Sequence, residues 1–153
     1  MHVFLMKGEF TLGFDIDQRS IGFLLTRTSI ANKKVLSRAL LPYDITPEQY
    51  GVLSRLFRKD GISQKQLSEL IVRDQTSIGK VLDKLERKAL IVRQDDPTDR
   101  RAFLLYLTTK GRELAELLVS HVEAIHAKAS EGIAEEDIDV FVKVINQLYR
   151  NLK

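Results

Sequence analysis

Between Ser63 and Thr108 the chain carries helix-start signals, turn signals and β-prone runs at a spacing that leaves few ways to fold. Ser63-Gln64-Lys65-Gln66 places an amide three residues after a hydroxyl, the pattern in which two side chains satisfy each other's backbone N–H groups at a helix start. Leu67, Leu70 and Ile71 then supply the expected buried face of a short helix. The chain is expected to turn through Val72-Arg73 to Asp74, whose carboxylate suits the N-cap of a second helix. At 100° per residue, Ile78, Val81, Leu82, Leu85 and Ala89 fall on one side of that helix. Thr76, Lys80, Asp83 and Arg87 fall opposite, and Ser77, Lys84 and Lys88 flank one edge. Two β-prone runs follow, Leu90 to Gln94 and Ala102 to Leu107, around the tip Asp95-Asp96-Pro97-Thr98-Asp99-Arg100-Arg101, which reads as a hairpin. Helix, helix with a basic outer face, then basic-tipped hairpin is the plan of a winged helix-turn-helix, which sets one helix in the DNA major groove.

The flanks read as helices. Asp17 to about Leu40 repeats apolar residues at Ile21, Leu24, Leu25, Ile30, Val35 and Leu36, and should stop at Leu41-Pro42, since proline cannot continue a helix. Thr46-Pro47-Glu48-Gln49 opens the next helix with a second capping box and a proline at its first position; Val52, Leu53, Leu56 and Phe57 follow, and Asp60-Gly61 ends it. Thr108 is expected to cap a long helix carrying Leu114, Leu117, Leu118, Val122, Ile125 and Ala129, broken at Gly132. A last helix carries Ile138, Phe141, Val142, Ile145, Leu148 and Tyr149. The expected class is mainly α with a small β-hairpin wing. At 153 residues this is one chain of ordinary domain size, with a winged unit over 46–109 and helices over 1–42 and 110–153.

Net charge is only +3, but its distribution is uneven. Residues 1–50 hold 6 basic and 5 acidic groups, residues 51–101 hold 12 and 8, and residues 102–153 hold 6 and 8. The excess sits in the candidate reading unit, which suits local phosphate neutralisation better than a generally adhesive surface. The absence of cysteine excludes disulfides, thiolate metal sites and cysteine redox sensing in this chain, and makes the cytoplasm the expected compartment. No apolar run approaches the roughly 20 residues of a membrane span. Met1 to Leu12 has no basic leader, continuous apolar stretch or small-residue cleavage site, so neither membrane insertion nor secretion is expected.

Asp99-Arg100-Arg101, then Ala102 to Tyr106, then Leu107-Thr108-Thr109-Lys110-Gly111 resembles the DxR…LTxxG signature of the MarR family of bacterial and archaeal transcription regulators. Thr46 to Gln49 and Leu82 to Ile91 resemble that family too, with Ala89 at a position that is often glycine there. The resemblance spans about Asp17 to Leu152. It implies a homodimer in which the N- and C-terminal helices interlock, each protomer presenting its winged helix to half of a pseudo-palindromic operator in double-stranded DNA. The helix from Asp74 to Lys88 is then the recognition helix, with Gln75, Thr76, Ser77, Lys80 and Lys84 as groove contacts; glutamine can read adenine, and threonine or serine several base edges or phosphates. Ser63, Gln64, Lys65 and Arg73 become phosphate contacts. In the wing the resemblance assigns Asp99 and Arg101 a structural and DNA-contacting partnership, with either Arg100 or Arg101 entering the minor groove. It also implies a repressor that a small aromatic or anionic effector releases by favouring one separation of the recognition helices. Arg27, Arg38 and Tyr43 would lie near such an effector space, but no pocket residue is assigned.

Other readings fit less well. A winged helix used for protein contacts has no need of the basic outer stripe and wing arginines kept here. Arg87 has a structural alternative, solvated or paired with Asp83 four residues away. No Gly-rich phosphate loop, nucleophile elbow or metal-spaced His/Glu set suggests an enzyme. His121 and His126 are five residues apart, off a common helical face, so neither a metal nor a cofactor is expected.

Overall fold

The computed structural model describes residues 19–71 and 73–153. Met1 to Leu12, the expected helix start at Asp17, and Val72 in the expected turn lie outside the described residues. The chain divides into two compact units, with the boundary between Gly51 and Val52 inside a helix.

In the first unit, α1 (Ile21–Leu40) begins at Ser20, whose hydroxyl accepts the Phe23 N–H at 3.4 Å. It passes into a 3-10 turn, Leu41–Tyr43, where Pro42 has no N–H with which to extend the α ladder. Asp44 closes the turn in the left-handed region, φ 55°. α1 carries Arg27, Lys33, Lys34 and Arg38 and no acidic residue. Leu40 and Ile45 are buried, whereas Ile21, Phe23, Ile30 and Val35 are exposed. α2 (Pro47–Arg58) starts at the expected capping box: Gln49 Oε1 accepts the Thr46 N–H and Thr46 Oγ1 accepts the Gln49 N–H, both at 3.2 Å.

The second unit contains β1 (Ile62–Ser63), α3 (Gln64–Leu70), α4 (Gln75–Arg87), β2 (Ile91–Asp96), β3 (Asp99–Leu107), α5 (Thr109–Ala129) and α6 (Glu135–Leu152). The strands form one antiparallel sheet in the order β1-β3-β2. β1 was not legible as a strand, because two residues show no alternation. Gly61 directs it onto β3, with φ 69° and its N–H on the Leu105 carbonyl at 2.7 Å; Ile62 then faces Leu105 and Ser63 faces Leu104.

Val52, Leu53, Leu56, Leu67, Ile78, Leu82, Leu85, Ile91, Leu105 and Leu118 are each almost fully buried. A Leu or Ile side chain buried to this degree contributes about 1.5–3 kcal/mol. Two positions expected in this core are elsewhere. Leu70 ends the short α3 half exposed, and Ser68 is buried in its place. Ala89 is exposed, because α4 stops at Arg87 and Ala89 takes a left-handed φ of 57° just beyond the cap at Lys88. α5 buries Ala115, Leu118 and Val122 but leaves Leu117 half exposed. α6 buries none of its residues fully: Val140, Phe141, Val142, Val144, Tyr149 and Leu152 are all exposed.

Candidate nucleic-acid interface

α3 and α4 follow one another in the second unit, and most of the short polar residues at their starts shape the backbone. Ser63 Oγ accepts the Gln66 N–H at 3.1 Å and Gln66 Oε1 accepts the Ser63 N–H at 3.0 Å. Gln64 Nε2 donates to the Gln75 carbonyl at 3.0 Å, bridging the start of α3 to the start of α4. Asp74 caps α4: one carboxylate oxygen accepts the Ser77 N–H at 2.9 Å and the other the Ser77 hydroxyl at 2.8 Å. These bonds favour the ionised carboxylate and hold its pKa below the usual 3.8. Ser63, Gln64 and Ser77, expected as DNA contacts, therefore already hold bonds within the chain.

The outward stripe of α4 matches the helical-wheel expectation. Ile78, Leu82 and Leu85 are buried, while Gln75, Thr76, Lys80, Lys84 and Arg87 are exposed. Lys65 and Arg73 are exposed as well. Among the described residues, the side chains of Gln75, Thr76, Lys80 and Lys84 meet no hydrogen-bond or ionic partner, leaving a polar, basic strip on the surface. Asp83 lies on the same face but is bound to Arg93, not to Arg87.

The wing is longer and tighter than the β-prone runs alone suggested. β2 and β3 extend to Asp96 and Asp99, so only Pro97 and Thr98 connect them. Asp96 Oδ1 accepts the Thr98 N–H at 2.8 Å and its hydroxyl at 2.7 Å; both bonds pull the Asp96 pKa below 3.8. Asp95 faces Phe103 while Asp96 faces Asp99, so Arg100, Arg101 and Ala102 have no partner across the ladder. Such a bulge bends a strand and re-aims its side chains. Asp99 Oδ1 accepts the Arg101 backbone N–H at 2.9 Å, so the Asp99–Arg101 pairing runs through the main chain and sets the bulge. Both arginines are exposed at the tip.

The Leu107 to Gly111 motif joins the wing to the helices. Thr108 Oγ1 accepts the Gly111 N–H at 2.9 Å and donates to the Ala89 carbonyl at 2.7 Å. The Thr108 N–H reaches the Leu90 carbonyl at 3.1 Å. Gly111 passes so close to that carbonyl that a Cβ there would stand 1.9 Å from its oxygen. The threonine is thus a cap and a crosslink to the end of α4, and the glycine is required by close approach.

Arg93 is the residue that sequence reasoning passed over. It pairs with Leu105 in register, on the sheet face that holds buried Ile91 and Leu107. Its guanidinium reaches Asp83 at 2.9 Å and Glu86 at 3.4 Å, both on α4. The available signal was alternation: an arginine on the core side of a strand needs a counter-ion nearby. Among the described residues, no group of three or more His, Asp or Glu is arranged to hold a metal, and no helix is long and apolar enough to cross a membrane.

The MarR family model matches residues 45–103. The regulatory protein assigned to the hcr operon of Thauera aromatica is 31% identical over 131 residues, covering 85% of this chain and 79% of that protein. The chain belongs to the MarR family. The match takes in α2, the α3–α4 pair and most of the wing. Solved MarR-type structures agree with the fold beyond those limits. The S. aureus MepR–DNA complex superposes with a TM-score of 0.81 at 27% identity, covering 86% of this chain and 97% of that one. CouR of Rhodococcus jostii RHA1 bound to p-coumaroyl-CoA gives 0.79 at 29% identity, covering 86% and 92%. MarR proteins are transcriptional regulators, and this chain has the winged helix with which they bind DNA.

Proposed function

We propose that this MarR protein is a repressor that acts in the cytoplasm as a homodimer on a pseudo-palindromic operator. The observation that carries the reading is the strip of polar and basic side chains on α4 that meet no partner among the described residues, together with a wing whose bulge presents two exposed arginines. In this reading residues 46–109 bind DNA and the helices within 1–42 and 110–153 dimerise. Gln75, Thr76, Lys80 and Lys84 reach base edges or phosphates, Lys65 and Arg73 touch phosphates, and one wing arginine enters the minor groove. Ser63, Gln64, Ser77 and Asp99 then act mainly by setting backbone geometry, as their internal bonds suggest. Two half-sites about one helical turn apart, roughly 34–36 Å, are expected.

An aromatic, anionic effector that releases the DNA is part of the proposal. The structural relative bound to p-coumaroyl-CoA supports that chemistry, as does the acid-free basic sequence of α1. The test is charge reversal at Lys80→Glu with Arg101→Glu. The double variant should lose binding to the tightest duplex selected by the wild-type protein, while its oligomeric state by sedimentation is unchanged. Undiminished affinity would mean that another face reads the DNA.

A further inference from the structure

We infer that Arg93 is a positioning residue for DNA reading, a clamp that fixes the wing to the recognition helix without touching DNA; this rests on the DNA-binding reading above. The two parts that would meet DNA, α4 and the wing tip, belong to different elements of the second unit. Near the tip the sheet gives little support: Phe103, on the core-side face, is half exposed, and Arg100 to Ala102 leave the ladder. Arg93 stands at the last position before the core gives way. Its stem lies beside Ile91 on the inward face and its side chain is only 20% exposed. One nitrogen, Nη1, meets Asp83 and Glu86 together, three residues apart on α4. One side chain thereby sets the angle between hairpin and helix.

The same contact solves an electrostatic problem. Asp83 lies on the outward, basic stripe of α4, where an uncompensated carboxylate would repel phosphate. Arg93 compensates Asp83 and Glu86 from the protein side, leaving Lys80 and Lys84 to face the duplex. Exposed ion pairs add little to stability, so the main consequence of the clamp is orientation.

The experiment compares wild type, Arg93→Gln, Arg93→Lys, Asp83→Asn/Glu86→Gln and the triple variant. The DNA is the tightest 30-bp duplex that wild type selects from a random pool, and the readouts are affinity, salt dependence and hydroxyl-radical footprint. Arg93→Gln should weaken binding about five- to twentyfold, the scale of two exposed ion pairs. It should lose protection where the wing lies and lower the salt slope by about 1, the loss of about one phosphate contact. Arg93→Lys, which keeps a cation within reach, should recover part of the footprint. Asp83→Asn/Glu86→Gln should also lose wing protection, although it removes two negative charges, and adding Arg93→Gln to it should change affinity less than twofold. A direct phosphate contact by Arg93 would give the opposite: tighter binding by Asp83→Asn/Glu86→Gln, and an undiminished further loss in the triple variant. Either result overturns the clamp. Amide hydrogen exchange in the DNA-free protein reads the clamp independently. Arg93→Gln should speed exchange from Asp95 to Ala102 with no change in the global unfolding midpoint, and unchanged exchange overturns the inference. Failure of wild type to select any duplex would instead overturn the DNA-binding reading, with the exchange result still deciding the clamp.

Discussion

The segment from β1 through the start of α5 and the helix α6 use apolar residues in opposite ways. In the former, Ile62, Leu67, Ile78, Leu82, Leu85, Ile91, Leu105 and Leu107 are all buried, and each helix start is closed by side-chain bonds. In α6, Val140, Phe141, Val144 and Tyr149 stand about half exposed, and its N-cap residue, Ala134, makes no side-chain bond. One region completes its core within a single chain. The other has an apolar surface of a kind that single soluble chains seldom leave bare, and a second protomer is the proposed cover.

The comparison breaks most sharply at Gly111. Gly111→Ala should cost about 3 kcal/mol or more, since the new methyl meets backbone that cannot rotate away. Urea unfolding should show it, and a loss below about 1 kcal/mol would mean that the α5 start and the wing are loosely joined.

Charge placed on α6 should act on the other region. Phe141→Asp with Val144→Asp should raise the dimer dissociation constant about a hundredfold or more, from burial worth about 1.5–3 kcal/mol per side chain. Far-UV circular dichroism should be nearly unchanged, because neither side chain belongs to the core of its own chain. A sedimentation profile that stays dimeric would place the interface elsewhere.

A smaller effect, of the opposite sign, is expected at Ala89. Its φ of 57° is costly for any residue with a Cβ, so Ala89→Gly should stabilise the protein by about 1 kcal/mol. Thermal and urea midpoints should both rise; a fall would show that the backbone there relaxes in solution.

The smallest effect is acid sensitivity at Asp74. Its folded pKa lies below 3.8, so the cap's stabilisation is complete above the unfolded value and is lost only as pH falls through the folded one. The stability difference between wild type and Asp74→Asn should be flat from pH 5 to 8 and change only below about pH 4. A change near neutrality would mean that Asp74 has a partner beyond Ser77.

Helix starts were legible because capping depends on residues three apart. Thr46 with Gln49, Ser63 with Gln66, Asp74 with Ser77 and Thr108 with Gly111 all bond as their spacing implied. The buried stripe of α4 and its exposed opposite face follow equally from a period of 3.6. The end of α4 at Lys88 was legible too, but the helical wheel also put Ala89 on the buried stripe; the chain has left the helix there, and Thr108 Oγ1 donates to the Ala89 carbonyl from nineteen residues on. β1 was hidden because its pairing with β3 depends on residues more than forty positions away.

Local spacing and periodicity were enough to read the order of the helices and the hairpin, the winged plan and the outward polar strip of α4, and the Asp99 to Gly111 motif carried the resemblance to the family. The folded chain was needed to show that Ser63, Gln64 and Ser77 are held by internal bonds, that Asp99 grips the backbone of Arg101, and that Arg93 joins the wing to α4. Those outcomes depend on which groups meet across elements. A hydrogen bond or ion pair between residues distant in sequence leaves no period from which to read it.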